Sequence, residues 1–216
     1  MHLDRTTAKL IGVDEVDPRL VAALERQLRA RTGERVGWKL GIGDRERIGD
    51  HLAVGHLTSA TRLEAGASYC AAEGEDLHAD AEVAVEIGPD GQVASYGAAL
   101  ELVDLRSPPD TPDEVVASNV FHRAVAFAST WGELPAGGVE ARLLVNGEVR
   151  DAGRSAADIE EKIRAAARIL GEVGESLEPG DRVITGSVVQ VPIAPGDRVE
   201  ADLAELGRVS LQLLLP

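Results

Sequence analysis

The chain has a single cysteine, Cys70, among its 216 residues. One thiol makes neither an internal disulfide nor a thiolate zinc cage, and Cys70 reads as a small apolar filler. Aromatic residues are only 3% of the chain, so the stacking platforms that single-stranded nucleic acid needs are nearly missing. The core has to be packed with Val, Leu, Ile and Ala. Cations are also short, 22 Lys and Arg against 37 Asp and Glu, a net charge of −15. A field of that sign repels phosphate backbones and anionic lipid, so neither a nucleic-acid nor a membrane partner is expected. No apolar run approaches the roughly 18 residues of a membrane span. The opening "MHLDRTTAKLIG" has no continuous apolar stretch of the signal-peptide kind, and a cytoplasmic location is expected.

Several motifs are missing as well. There is no G-x-S-x-G elbow. "GIGDRE" (41–46) starts like a dinucleotide fingerprint but lacks its third glycine. The five histidines (His2, His51, His56, His78 and His122) fall in no metal-binding spacing.

What is present is enough to build a core, with 44% apolar residues, and the length suits one domain spanning 1–216. Asp17-Pro18 is an N-cap followed by a first-turn proline. Leu20, Val21, Leu24 and Leu28 then recur at helical spacing until Gly33, which predicts an N-terminal helix over about 17–33 packed on a β-rich domain. "TPDEVVASN" (111–119) carries a capping-box pattern. "ADIEEKIRAAARILGEVG" (157–174) is amphipathic. Asn146-Gly147 marks a hairpin. Alternating segments at 36–43, 77–88, 97–106, 122–130 and near the C-terminus read as strands, about eight to ten short ones in all. The region 44–61 is polar, open to helical turns or loop. Strands do not alternate regularly with helices, so a doubly wound sheet is not expected. The fold class is α+β, mainly β, with peripheral helices.

Two oddities carry chemistry. In "LHADAEVAVEIG" (77–88) the acids Asp80, Glu82 and Glu86 share one strand face, where like charges repel unless water or a cation screens them. Glu101 sits inside the apolar run "GAALELVDLR", where an unpaired charge is expensive. A hard divalent cation such as Mg²⁺ or Mn²⁺ resolves both. The alternative is that the strand acids face solvent and Glu101 pairs with an arginine. The second oddity is Lys39 in "GWKLG". It is either a buried acid/base or a solvent-facing lysine on an edge strand.

Taken together and in order, "GWKLG", "DAEVAVEIG", "ALELVDLR", "VNGEVRDAG", "LEPGDRVITGS" and "GDRVEADLAELGRVSLQL" resemble the fumarylacetoacetate hydrolase superfamily. The branch is that of 2-keto-4-pentenoate hydratases and 2-oxo-3-hexenedioate decarboxylases. The resemblance runs from about Val36 to the C-terminus and implies a mixed β-roll of that type. It implies Mg²⁺ or Mn²⁺ on Asp80, Glu82 and Glu101, with Asp80 standing where the family usually has Glu. It makes Lys39 the proton shuttle, and it places Asn119, His122, Arg123, Thr185, Gly186 and Ser187 around a small-molecule 2-oxo acid. Ser118 stands where family hydratases have Asp, and Phe121, His122 and Arg123 are larger than their counterparts. The implied activity is that of a metal-dependent lyase, a hydratase of a 2-hydroxydienoate as in aromatic catabolism. Decarboxylation, C–C hydrolysis and a catalytically silent partner subunit are the alternatives. A homo-oligomer is implied.

Overall fold

The computed structural model describes residues 16–41, 52–106 and 111–215. His2, His51 and nearly all of "GIGDRE" lie outside these ranges. Helix α1 (Pro18–Arg29) starts where Asp17 accepts the Arg19 N–H and ends four residues short of Gly33. It buries Leu20, Ala23 and Leu24. Strands β1 (Arg35–Gly41) and β2 (Ala53–Thr58) follow. The expectation of turns or loop through this region is therefore corrected over 53–58. Ala53, Val54 and Leu57 are buried there, and the alternation of 54–58 is that of a strand.

Next come β3 (Arg62–Leu63), β4 (Ser68–Cys70), β5 (Leu77–Ile87) and β6 (Val93–Asp104). Helix α2 (Pro112–Ala117) leads into β7 (His122–Gly132). The Thr111 hydroxyl bonds the Glu114 carboxylate directly at 2.9 Å instead of capping the backbone. The hairpin of β8 (Glu140–Val145) and β9 (Glu148–Arg154) turns through Asn146 and Gly147, both at positive φ, as a two-residue hairpin turn requires. Then come α3 (Ile159–Glu172), β10 (Arg182–Pro192), β11 (Arg198–Asp202) and β12 (Arg208–Leu214). Several strands reach 11 or 12 residues, longer than the short strands expected. Cys70 is exposed, not the buried filler its type suggested.

The strands form two sheets. One has seven strands in the order β2-β1-β10-β5-β6-β7-β3, and the other five in the order β4-β12-β11-β8-β9. Most neighbours are antiparallel, but β1–β10, β3–β7 and β4–β12 are parallel. The main core lies between the sheets. Ala79, Ala81 and Val83 of β5 and Leu100 and Leu102 of β6 share it with residues such as Leu143, Val199 and Leu211 of the smaller sheet. A second, small apolar cluster of Leu57, Ala84, Ala99, Val125, Phe127 and Ile184 fills the other, concave face of the large sheet. The large sheet curls into a half-barrel, as the expected β-roll requires.

That curl is what assembles a site. Lys39 on β1 meets Glu101 on β6, with β10 and β5 between their strands. Three strand spacings in a flat sheet come to about 14 Å, too far for the two side chains to bridge. Gly37, at φ 153°, tightens the same region. A Cβ there would run into the backbone carbonyl of Arg182, so only glycine allows β1 to lie this close to β10. The room is taken by protein, not by a ligand.

Candidate metal and proton-transfer site

Asp80 and Glu82 project from β5 onto the concave face, and Glu101 pairs with Asp80 across the β5–β6 ladder. The three are 4%, 2% and 1% exposed, so solvent does not screen them. One ligand atom from each lies within 4.8 Å of the others. β10 completes the arrangement, because its register shifts on both sides of Ser187. A bulge of this kind re-aims the groups it carries. Gly186 N–H reaches Glu82 Oε2 at 2.8 Å, and the Ser187 hydroxyl reaches Asp80 Oδ1 at 2.9 Å. Gln190 lies opposite Asp80 in the β5–β10 ladder.

Glu101 is held differently. Its Oε1 accepts Lys39 Nζ at 2.6 Å and faces His122 Nδ1 at 2.6 Å. The His122 Nε2 faces the Thr61 hydroxyl at 2.9 Å. A neutral imidazole with its proton on Nδ1 satisfies both contacts. Lys39 Nζ also donates to the Val120 carbonyl at 2.7 Å. An ammonium has three protons, so among the described residues one is left over. Trp38 and Leu40, its neighbours in β1, are buried and fix the strand.

The charges do not balance. Burial, then Glu101, pushes the Asp80 carboxyl up to about 7, against the pull of Lys39. Burial, Glu101 and Asp80 push Glu82 well above the usual range. For Glu101 burial also favours protonation, but Lys39 and His122 outweigh it and hold the carboxyl below its ordinary value. Burial keeps His122 low, and so neutral, despite Glu101. Without a cation, protons stay on Glu82 and in part on Asp80; with all three carboxylates ionised, one ammonium would leave two negative charges, the charge of one divalent cation. Glu82 and Glu101 each spend only one oxygen on the donors named. The donor set is hard oxygen throughout, which suits Mg²⁺ or Mn²⁺.

The other candidates fall in different places. Asn119 clamps β2, its Oδ1 accepting the His56 N–H at 2.8 Å and its Nδ2 donating to the His56 carbonyl at 3.1 Å. Asn119, Val120 and Phe121 all take positive φ, 59°, 53° and 66°. This left-handed turn costs on the order of 1–2 kcal/mol per residue, and it brings the Val120 carbonyl to Lys39. Gly55 is needed beside it, since a Cβ would lie 2.7 Å from both Asn119 Oδ1 and Lys39 Cγ. Arg123 is not brought to the carboxylates. It pairs with Asp104 at 2.8 Å and Glu75 at 3.3 Å. Thr185 donates to the Val83 carbonyl at 2.9 Å. Sequence reasoning missed Thr61, Gln190, Gly55 and the Val120 carbonyl. Thr61 lies in a stretch without carboxylates, and a backbone carbonyl leaves no mark in a sequence.

The fold is that of a set of solved structures that includes members of the fumarylacetoacetate hydrolase superfamily. In particular, the chain is 28% identical to a 4-oxalocrotonate decarboxylase from Pseudomonas sp over 240 aligned positions, covering 95% of this chain and 91% of that one. It superposes on the 4-oxalocrotonate decarboxylase from Pseudomonas putida G7, complexed with magnesium and adipate, with a TM-score of 0.74 at 20% identity, covering 98% and 95% of the two chains. It also superposes on a 2-keto-3-deoxy-D-arabinonate dehydratase complexed with magnesium and 2,5-dioxopentanoate, with a TM-score of 0.66 at 16% identity, covering 94% and 90%. No protein-family model matches the chain. No helix among the described residues is long and apolar enough to cross a membrane.

Proposed function

We propose that the protein is a divalent-metal-dependent lyase of 2-oxo acids, and specifically a hydratase of a 2-hydroxydienoate. The observation that carries this is the buried cluster of Asp80, Glu82 and Glu101, which when fully ionised is two charges short of neutrality, with a lysine ammonium beside it. Mg²⁺ or Mn²⁺, when bound, supplies Lewis-acid polarisation of the 2-oxo group. Asp80, Glu82 and Glu101 hold that ion. Gly186 and Ser187 fix the first two carboxylates, and His122 fixes the third. Glu101 and the Val120 carbonyl hold the Lys39 Nζ in place. Its third proton is the one it exchanges with a substrate carbon. Buried β-sheet on the concave face keeps bulk water from the far side of the cluster. The same reading makes the enzyme cytoplasmic and homo-oligomeric, as the resemblance implies.

Decarboxylation is the second reading, favoured by the name of the 28% identical relative. Incubating the Mg²⁺-loaded protein with 2-hydroxypenta-2,4-dienoate and with 2-hydroxymuconate separates the two. A hydratase consumes the first without releasing CO₂, and a decarboxylase releases CO₂ from the second. If neither substrate is consumed while Mg²⁺ still stabilises the fold, the chain is a silent partner and the enzyme reading fails.

A further inference from the structure

His122 owes its place to an irregularity in the large sheet. Along the β6–β7 ladder Glu101 faces Val125 and Leu102 faces Ala124, but Val103 faces His122. β7 thus carries one extra residue here, Arg123. Residues opposite each other across a ladder share a face. A regular ladder would set Arg123 opposite Val103, on the same face as Glu101. The bulge puts His122 there instead, and Arg123 turns away to Asp104 and Glu75. An imidazole takes the position that a guanidinium would otherwise hold beside the carboxylates.

That imidazole is held at both ends. Its side chain is 1% exposed, as is that of Glu101. Nδ1 stands 2.6 Å from Glu101 Oε1, and Nε2 stands 2.9 Å from the Thr61 hydroxyl. Thr61 is itself fixed. Its N–H donates to the Thr58 carbonyl at 3.1 Å, and its carbonyl accepts the Val125 N–H at 3.0 Å. The hydroxyl also lies 3.4 Å from the Thr58 carbonyl, so the shorter contact with Nε2 is the stronger one. A hydroxyl that donates to Nε2 leaves the ring proton on Nδ1, directed at Glu101.

The consequence falls on Glu101. A carboxylate oxygen has two lone pairs, and Lys39 and His122 take both of those on Oε1. Among the described residues, every bond to this carboxylate falls on Oε1, which leaves Oε2. We infer that His122, locked by Thr61, is a positioning residue that confines Glu101 to one free oxygen and so shifts the preference of the cluster toward Mg²⁺ and away from Ca²⁺. Ca²⁺ takes about six to eight oxygens, often both from one carboxylate, whereas Mg²⁺ demands a near-octahedral shell. A glutamate with one oxygen to give withholds part of the larger shell. This rests on the divalent-metal reading above and deepens it, from which residues hold the ion to which ion they favour.

Calorimetric titration of EDTA-stripped protein with MgCl₂ and with CaCl₂ tests it without turnover, the reading being the ratio of the two Kd values. His122→Phe keeps a ring and removes the donor. Its ratio should move about tenfold toward Ca²⁺, within the range that partners of metal ligands contribute. His122→Asn, whose amide N–H stands close to the place of the Nδ1–H, should keep the parent ratio. Thr61→Val should move the ratio the same way by less, and Thr61→Ser should not move it. A histidine that only fills the core predicts that His122→Phe weakens both cations alike. An unchanged ratio in either His122→Phe or Thr61→Val overturns the inference, as does a His122→Asn ratio that follows His122→Phe. Thr61 is half-buried in a turn, so Thr61→Val decides the matter if His122→Phe does not fold. A parent that binds neither cation overturns the divalent-metal reading itself, and this inference with it.

Discussion

Strand β5 supplies a glutamate to each end of the concave face. Glu82 is 2% exposed and lies among two other carboxylates. Glu86 is four residues further along the same face, its side chain 39% exposed and 4.0 Å from Arg182. The apolar plug around Ala84, Ile184 and Phe127 separates them. At the Glu86 end, cations and acids share one open cleft, and the Arg182 guanidinium lies 5.0 Å over Phe127 and 4.9 Å over Trp131. Charges there are already met. At the Glu82 end three carboxyls share one protein cation, and burial pushes two of them up toward the protonated form. One strand and one residue type thus give a surface ion pair in one place and a candidate cation site in the other. Burial, not residue identity, makes the difference.

The largest expected effect comes from removing the unbalanced end. Glu82→Gln should bring turnover to background. In metal-free protein near neutral pH it should leave the melting temperature unchanged or slightly raised, because burial already holds the Glu82 carboxyl largely protonated and the amide replaces a neutral acid. Circular dichroism melts in EDTA check this, and a fall in melting temperature would contradict it.

Lys39→Met comes next. Turnover should fall on the order of 10²–10⁴-fold, as for loss of a general acid/base, while Mg²⁺ binding survives. Without metal the variant should lose about 3–5 kcal/mol of stability, because Glu101 is left buried with its main partner gone. Denaturant titration reads the stability. Normal turnover in this variant would remove Lys39 from the chemistry.

A smaller effect is expected from pH. In metal-free protein the Asp80 carboxyl titrates near 7, against an ordinary value of 3.8. Between those values the folded state binds more protons than the unfolded chain, so stability should fall as pH rises from about 4 to about 7. Mg²⁺ requires the deprotonated ligand, so its affinity should rise over the same window. Stability measured in EDTA and in saturating Mg²⁺ should therefore diverge with pH. The smallest effect belongs to Glu86→Gln, which should change stability by no more than about 0.5 kcal/mol. A larger loss would mean that the two ends are not as different as described.

The comparison also shows how far the sequence can be read. Alternation in 77–88 marks Asp80 and Glu82 as sharing a face, but it marks Glu86 equally. Which of them is buried depends on β6 and β10, and β10 begins about a hundred residues downstream. Local signals located β5, β6, the hairpin and the two longer helices, because periodicity and turn chemistry are encoded within each segment. The parallel pairing of β1 with β10 is long-range and has no such signal. It makes β1 an interior strand, so Lys39 is not the edge lysine that one reading allowed. Asn119 tolerates positive φ by its chemistry, whereas Val120 and Phe121 do not. Their left-handed turn is imposed by tertiary contacts.

The central claim is that Asp80, Glu82 and Glu101 together hold one divalent cation. Thermal unfolding of EDTA-stripped protein, titrated with MgCl₂ in the parent and in Glu82→Gln and Glu86→Gln, tests it most directly. At 100 times its Kd, Mg²⁺ should add about 2.7 kcal/mol of stability to the parent and to Glu86→Gln. It should add little to Glu82→Gln. No shift in the parent, or an equal shift in Glu82→Gln, would contradict the account.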